Sequence, residues 1–119
     1  MSNISINWFE IPTQDLDRAA GFYSRVLEAE LGDMDGPMGP MKSFHNDGLP
    51  VGALVAGPQV SPSQTGSLIY LGTQDIDAAL ARVEAAGGQV LVGKTSIGPF
   101  GSIGQFVDSE GNRVALHCN

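Results

Sequence analysis

The sequence predicts an α+β chain of two tandem strand–helix–strand–strand–strand modules, and three observations carry that prediction. Thr13-Gln14-Asp15-Leu16-Asp17 recurs sixty residues on as Thr73-Gln74-Asp75-Ile76-Asp77, half the chain away. An apolar, alternating segment precedes each copy, Ile4 to Ile11 in one half and Ser67 to Gly72 in the other, and a helical pattern follows each. Each half then closes on a short apolar segment, Val51 to Ala56 and Arg113 to His117. A repeat of this length is a duplicated supersecondary unit, not a solenoid array.

The elements follow in chain order. Asp15 and Asp75 suit helix N-caps, because a carboxylate there accepts the free amide protons of the first turn. Leu16, Ala19, Ala20, Tyr23, Val26 and Leu27 recur at three- and four-residue spacing and give the first helix one apolar face. Ile76, Ala79, Leu80, Val83 and Ala86 do the same for the second. Gly32 follows the first helix and Gly87-Gly88 ends the second, since glycine tolerates the left-handed cap conformation. A faint second strand is expected around Leu31 to Met34, and its counterpart at Gln89 to Val92. The segment around Phe44 and Val51 to Ala56 read as two strands joined near Asp47-Gly48. Ser102 to Val107 and Asn112 to His117 read as another pair, joined by Asp108-Ser109-Glu110-Gly111. Gly57 to Gly66, with Pro58 and Pro62, reads as a linker. The expected organisation is therefore module one over 1–57, a linker over 58–66 and module two over 67–119.

Composition bounds the function. At 119 residues the chain is one domain able to bury roughly two-thirds of its unfolded surface. Hydrophobic content of 42% against 16% charged residues excludes an intrinsically disordered chain. A formal net charge of −7, from 13 acidic and 6 basic residues, repels phosphate backbones and anionic lipid, so neither nucleic acid nor membrane is an expected partner. With Cys118 as the one cysteine, no intrachain disulfide forms, which fits the reducing cytoplasm. No secretory signal, membrane-spanning run, phosphate-binding glycine loop, Cys-x-x-Cys pair or serine elbow stands in the sequence. Cys118 has no base at a recognisable spacing, so a nucleophilic role is not expected of it.

The tandem organisation and several local runs resemble the vicinal-oxygen-chelate superfamily of glyoxalases, bleomycin-resistance proteins and extradiol dioxygenases. Trp8-Phe9-Glu10-Ile11-Pro12, then Asp15-Leu16-Asp17-Arg18-Ala19 and Phe22-Tyr23, resemble its opening strand and helix. Asp75-Ile76-Asp77-Ala78-Ala79 with Gly87-Gly88 resembles the second helix. Phe106-Val107-Asp108-Ser109-Glu110-Gly111-Asn112-Arg113 resembles the closing hairpin, where the usual form has Pro in place of Ser109. The Trp-Phe-Glu-Ile-Pro opening is similar to that of a glyoxalase-like group. The resemblance implies a curved mixed sheet around a concave cavity, helices on the convex face, a small molecule in the cavity and a homodimer.

Metal-dependent members of that superfamily place His or Glu on the first and last strands of each module. Carried over, those positions fall on Trp8, Ala53, Leu68 and Ala115, with Val55 the alternative to Ala53. None of them ligates a metal ion. A shift of one residue flips the side chain to the other face; shifts of two bring Glu10, Tyr70 and Arg113 or His117 into those places. The expectation is a site with no metal and no cofactor.

Strand alternation sorts the remaining residues. Phe9, Ile11, Ile69, Leu71, Phe106, Val114 and Leu116 face the helices. Trp8, Glu10, Leu68, Tyr70, Gln105, Arg113, Ala115 and His117 face the concave side. Glu10 is the candidate base, because a dry pocket raises a carboxyl toward the range useful for proton abstraction; its plainer reading is a contact with Arg113 or backbone. Tyr70 is its candidate catalytic partner. Trp8, Leu68, Phe100, Gln105, Arg113 and His117 are candidate ligand contacts, the aromatics offering flat apolar surface and Arg113 a fork for an anion. Plainer readings are a filled pocket, a solvated Arg113, and His117 as an ordinary terminal-strand histidine. His45, beside the Asp47-Gly48 turn, reads as a rim residue. A non-standard metal site of Glu10, His45 and His117 is the less favoured alternative. Gly36-Pro37-Met38-Gly39-Pro40-Met41 and Gly98-Pro99-Phe100-Gly101 read foremost as ordinary Pro/Gly loops, with a lid over the ligand as the alternative for each. Three functions compete: a lyase or isomerase with Glu10 as base, a ligand-sequestering protein of the bleomycin-resistance kind, and a domain whose pocket is filled.

Overall fold

The chain starts its regular structure at β1, Phe9–Pro12, and runs through α1, Leu16–Leu27, β2, Gly32–Gly36, β3, Gly39–Asn46, and β4, Leu49–Val55. The same order returns in β5, Tyr70–Gly72, α2, Ile76–Ala85, β6, Gln89–Ser96, β7, Ser102–Val107, and β8, Arg113–Cys118, with a 3-10 turn over Gly98–Phe100. This is a computed structural model, and it describes residues 3–119. The fold is α+β, with two four-stranded mixed sheets of order β1-β4-β3-β2 and β5-β8-β7-β6. In each, the first strand runs parallel to the last and the other pairs are antiparallel. Glu10 pairs Ala53 as Tyr70 pairs Ala115, and Phe44 pairs Gly52 as Phe106 pairs Val114, so the centres of the two sheets match, while register shifts after Phe44 in one and between Val90 and Thr95 in the other set their edges apart.

The repeated phrase folds the same way twice. Asp15 and Asp75 are both extended N-caps, with φ, ψ of −140°, 106° and −146°, 101°. Their carboxylates accept from Arg18 N and Ala78 N. Ala19, Phe22, Tyr23 and Val26 of α1 and Ile76, Ala79, Leu80 and Val83 of α2 are buried. Those faces join Ile11, Phe44, Leu54, Phe106, Val114 and Leu116 in one core drawn from both halves. Phe9, Ile69 and Leu71 pack against it. The residues predicted for the helix-facing side, on β1, β7, β8 and the segment at β5, all lie in or against this core. At Gly52 an added Cβ would collide with the Phe9 ring, so a larger residue there requires that ring to move.

Some expectations are corrected. The alternating run from Ile4 forms no strand before Phe9, and Ile4 and Ile6 stand exposed. Alternation predicts which way side chains would face, but a strand also needs a partner for its backbone groups. The first strand of the second half is likewise short, starting at Tyr70 rather than Ser67. Glu28, not Gly32, takes the left-handed conformation at the end of α1, with φ 52°. Gly36 to Met41 is no loop: Pro37-Met38 make a tight turn, and Gly39 already pairs Gly36 across the β2–β3 hairpin. A paired hairpin of this kind leaves no free lid segment. No helix among the described residues is long and apolar enough to cross a membrane.

Candidate functional site

The residues singled out from sequence lie on or beside β1, β5, β7 and β8. Ala53 and Ala115, paired with Glu10 and Tyr70, are fully buried. Tyr70 and Gln105 flank Ala115 in register. Tyr70 is 49% exposed and Gln105 half-buried. Trp8 stands just before β1, 37% exposed, and its indole N–H donates to Glu10 Oε2 at 3.3 Å. Glu10 itself is exposed, so the dry surroundings expected around it are not present in the single chain. Leu68 sits half-buried in the segment before β5. The Phe100 carbonyl accepts from His117 Nε2 at 2.6 Å, while the Phe100 ring is exposed. That bond fixes the tautomer, because a carbonyl only accepts, so Nε2 carries the proton.

Glu10 and Arg113 come together in a small pocket of about 180 Å³ where β1 meets the start of β8, closed by Ser61 and Ser63 of the linker and by Asn112. The buried Arg113 Nε has no hydrogen-bond partner among the described residues. Glu10 and Arg113 form no ion pair among the described residues; Glu10 is taken up by Trp8. Trp8, Leu68, Phe100, Gln105 and His117 do not line this pocket.

A larger groove, about 930 Å³, lies elsewhere, between the end of α1, the β3–β4 hairpin, β5 and the start of α2. Tyr70 and His45 both line it. Phe9, Phe44 and Val51 supply apolar wall, and Gln74, Asp75, Ala78 and Arg82 the opposite side.

The counterpart of this groove in the other half is closed by residues the sequence reading left as an ordinary turn. Glu110, on the β7–β8 hairpin, accepts from Gln14 N and Asp15 N at 2.8 Å each, from Arg18 Nε at 2.9 Å and from the Ser109 hydroxyl. Burial works to raise its pKa, but the Arg18, Asp15, Ser109 and Gln14 bonds outweigh it and hold the carboxyl at about 2. Beside it, Asp108 accepts the Tyr23 hydroxyl at 2.6 Å and the amides of Glu110 and Asn112. Burial raises the Tyr23 pKa, and the adjacent Asp108 carboxylate raises it further, so the phenol keeps its proton. Asn112 Nδ2 reaches across to the Pro12 carbonyl at 2.8 Å. The signal in the sequence was the crowding of Asp108, Glu110 and Asn112 around one turn, but polar turn residues are ordinarily solvated, and their partners lie 85 to 100 residues away.

The Glyoxalase/Bleomycin resistance protein/Dioxygenase superfamily profile matches residues 5–116. The chain belongs to that superfamily. A glyoxylase-like domain-containing protein of Didymella fabae is 32% identical over 93% of the chain and 91% of its own length. The anthracycline biosynthesis protein DnrV of Streptomyces peucetius is 27% identical over 92% of the chain, which spans 45% of DnrV. In structure, TnmS3, an antibiotic binding protein from Streptomyces sp. CB03234, matches at TM-score 0.71 and 29% identity, over 99% of this chain and 98% of that one.

Metal-dependent members of the superfamily need four donors, and this member's residues do not fit that group. Trp8, Ala53, Leu68 and Ala115 offer no lone pair for a metal ion. Ala53 and Ala115 are sealed by their neighbours, and no group of three or more His, Cys, Asp or Glu side chains gathers among the described residues.

Proposed function

We propose that the protein binds a planar, largely apolar small molecule on the sheet face turned away from its helices, and sequesters rather than transforms it. The observation that carries this reading is the set Trp8, Ala53, Leu68 and Ala115: apolar side chains without a metal donor stand where metal-dependent members of the superfamily hold an ion. Trp8 and Tyr70, both exposed, offer ring surface with a polar tip. The similarity to TnmS3, an antibiotic binding protein, supports binding over catalysis. A homodimer completes the cavity in this reading, by covering the open face and the exposed Ile4 and Ile6; the ligand is met in the cytoplasm.

Trp8 is the sole tryptophan, so its fluorescence reports on the site directly. Titration with a planar anthraquinone is expected to quench it saturably, and Glu10→Gln is expected to leave the affinity within about twofold. Linear quenching, equal to that of free N-acetyltryptophanamide, overturns the reading. A second reading, a lyase or isomerase with Glu10 as base and Tyr70 or Arg113 as oxyanion partner, is favoured by one observation, the shared pocket of Glu10 with the unpartnered Arg113 Nε. It requires turnover of a small carbonyl compound that Glu10→Gln abolishes.

A further inference from the structure

The groove at the start of α2 and the closed junction at the start of α1 are built on the same backbone. Thr13 N donates to the Val55 carbonyl at 2.8 Å, and Thr73 N to the His117 carbonyl at 2.9 Å. Ala19 N returns to Asp15 O at 3.0 Å, and Ala79 N to Asp75 O at 3.1 Å. With matching N-cap angles as well, the amides of Gln74 and Asp75 take the orientation of the amides of Gln14 and Asp15. In the closed junction those two amides hold a carboxylate, Glu110. In the other, the repeat places Ala78 at Arg18's position. The β3–β4 hairpin, whose register shifts between Phe44 and His45, turns through Asp47-Gly48, and Asp47 is exposed and makes no hydrogen bond to Gln74 or Asp75 among the described residues. Among the described residues no carboxylate reaches Gln74 N, and Asp75 N has only the Thr73 hydroxyl at 3.3 Å. What stands there instead of a side chain is the groove of about 930 Å³.

We propose that this groove is a ligand site for a small monocarboxylate with an apolar body, its carboxylate taking the place against Gln74 N and Asp75 N that Glu110 takes against Gln14 N and Asp15 N. The twin supplies the chemistry: the same Thr-Gln-Asp backbone, in the same conformation, ligates a carboxylate sixty residues earlier. Helix α2 has 10 residues, long enough for its N-terminal amides to favour an anion. The apolar body lies against Phe9, Phe44, Val51 and Tyr70. Three acids line the groove. Asp75 stands to the site as Asp15 stands to Glu110, occupied by its own cap bond, Glu28 is paired with Arg82 at 3.5 Å, and Glu30 is exposed to solvent. The site shares Tyr70 with the sheet face of the proposed function but does not rest on that reading.

The probe is 1-naphthoate, with 1-naphthalenemethanol as its uncharged counterpart, titrated into ¹⁵N-labelled full chain. Saturable amide shifts are expected at Gln74 and Asp75 with naphthoate. Gln14 and Asp15, already occupied, are the internal reference and stay in place. Signals of the Trp8 indole and Gln105 report separately on the sheet face, so failure of one site is distinguishable from failure of the other. Ala78→Arg restores the guanidinium of the twin and is expected to tighten naphthoate about three- to fivefold. Ala78→Glu places a carboxylate at the third helical position, where it folds back onto the Asp75 amide, and is expected to weaken naphthoate about tenfold or more. Both residues are good helix formers, and thermal denaturation checks that both variants fold. The proposal is overturned if Gln74 and Asp75 do not shift up to the solubility of the probe, if the alcohol shifts them equally, or if the two variants bind as the parent does.

Discussion

Two junctions join the repeated halves, and they differ in their polar residues while sharing the backbone that leads into each helix. At one, buried Tyr23, Asp108, Glu110 and Asn112 make a bonded network that half-exposed Arg18 completes. At the other, Val83 and Ala78 replace Tyr23 and Arg18 on the helix, and the hairpin Asn46 to Pro50 turns in a shifted register. The exchange is all-or-none, and there is a physical reason for that. A buried polar cluster with one member missing leaves its other members desolvated and unpaired, which is worse than an apolar replacement. A duplicated unit can therefore hold the whole network or none of it. Removing it altogether leaves an opening, and the opening here is the largest groove described on the molecule.

The comparison is broken most directly at Asp108. Asp108→Ala strands the Tyr23 hydroxyl and two buried amides and is expected to cost about 4 kcal/mol in chemical denaturation, whereas Asn46→Ala on the other hairpin is expected to change stability by about 0.5 kcal/mol or less. Equal costs would mean that the two junctions are not energetically different.

Acid comes next. The Glu110 carboxyl is depressed from an ordinary 4.5 to about 2, so its contribution is full above pH 4.5 and is lost as the pH falls toward 2. At about 1.4 kcal/mol per unit, roughly 3 kcal/mol should disappear over that window, and Glu110→Gln should flatten the loss. A smaller effect is expected from Arg18→Ala. It removes one of four donors to Glu110, and because Arg18 is half exposed its bond is partly screened. NMR titration should find Glu110 moved upward from about 2 yet still below its ordinary value, held by the two helix amides. Smallest is Arg82→Ala at the open junction, where a half-exposed guanidinium bonds the Val26 carbonyl and Glu28; about 0.5 kcal/mol is expected in thermal denaturation.

The sequence was legible wherever the physics is local or periodic. The caps at Asp15 and Asp75, the buried faces of both helices, the strand parity from Phe9 to Leu116 and the two-module plan all follow from spacing and turn chemistry. It was illegible where a residue's state depends on a distant partner. The hairpin Asp108 to Asn112 reads as a solvated turn until α1 is laid against it. Residues 4–8 read as strand because alternation carries no information about whether a neighbour is present to pair with. Glu10 reads as a candidate for a dry pocket, and in the single chain it lies open to solvent, bonded to Trp8. The groove at α2 left no mark of its own, since Ala78, where the twin has Arg18, reads as an ordinary helix residue.

The hairpin that closes the first junction also sets an order in time. Glu110 lies 95 residues beyond Asp15, so during synthesis α1 leaves the ribosome long before the turn that covers its first amides and the Tyr23 hydroxyl. Until then α1 has only its own Asp15 cap, the Gln14 and Asp15 amides are left to water, and its apolar face waits for residues such as Phe106 and Val114. Contacts of such long range are slow to form and leave apolar surface open to aggregation while they wait. The two halves, alike in plan, are thus unequal in biogenesis: the first becomes native only when the end of the second arrives.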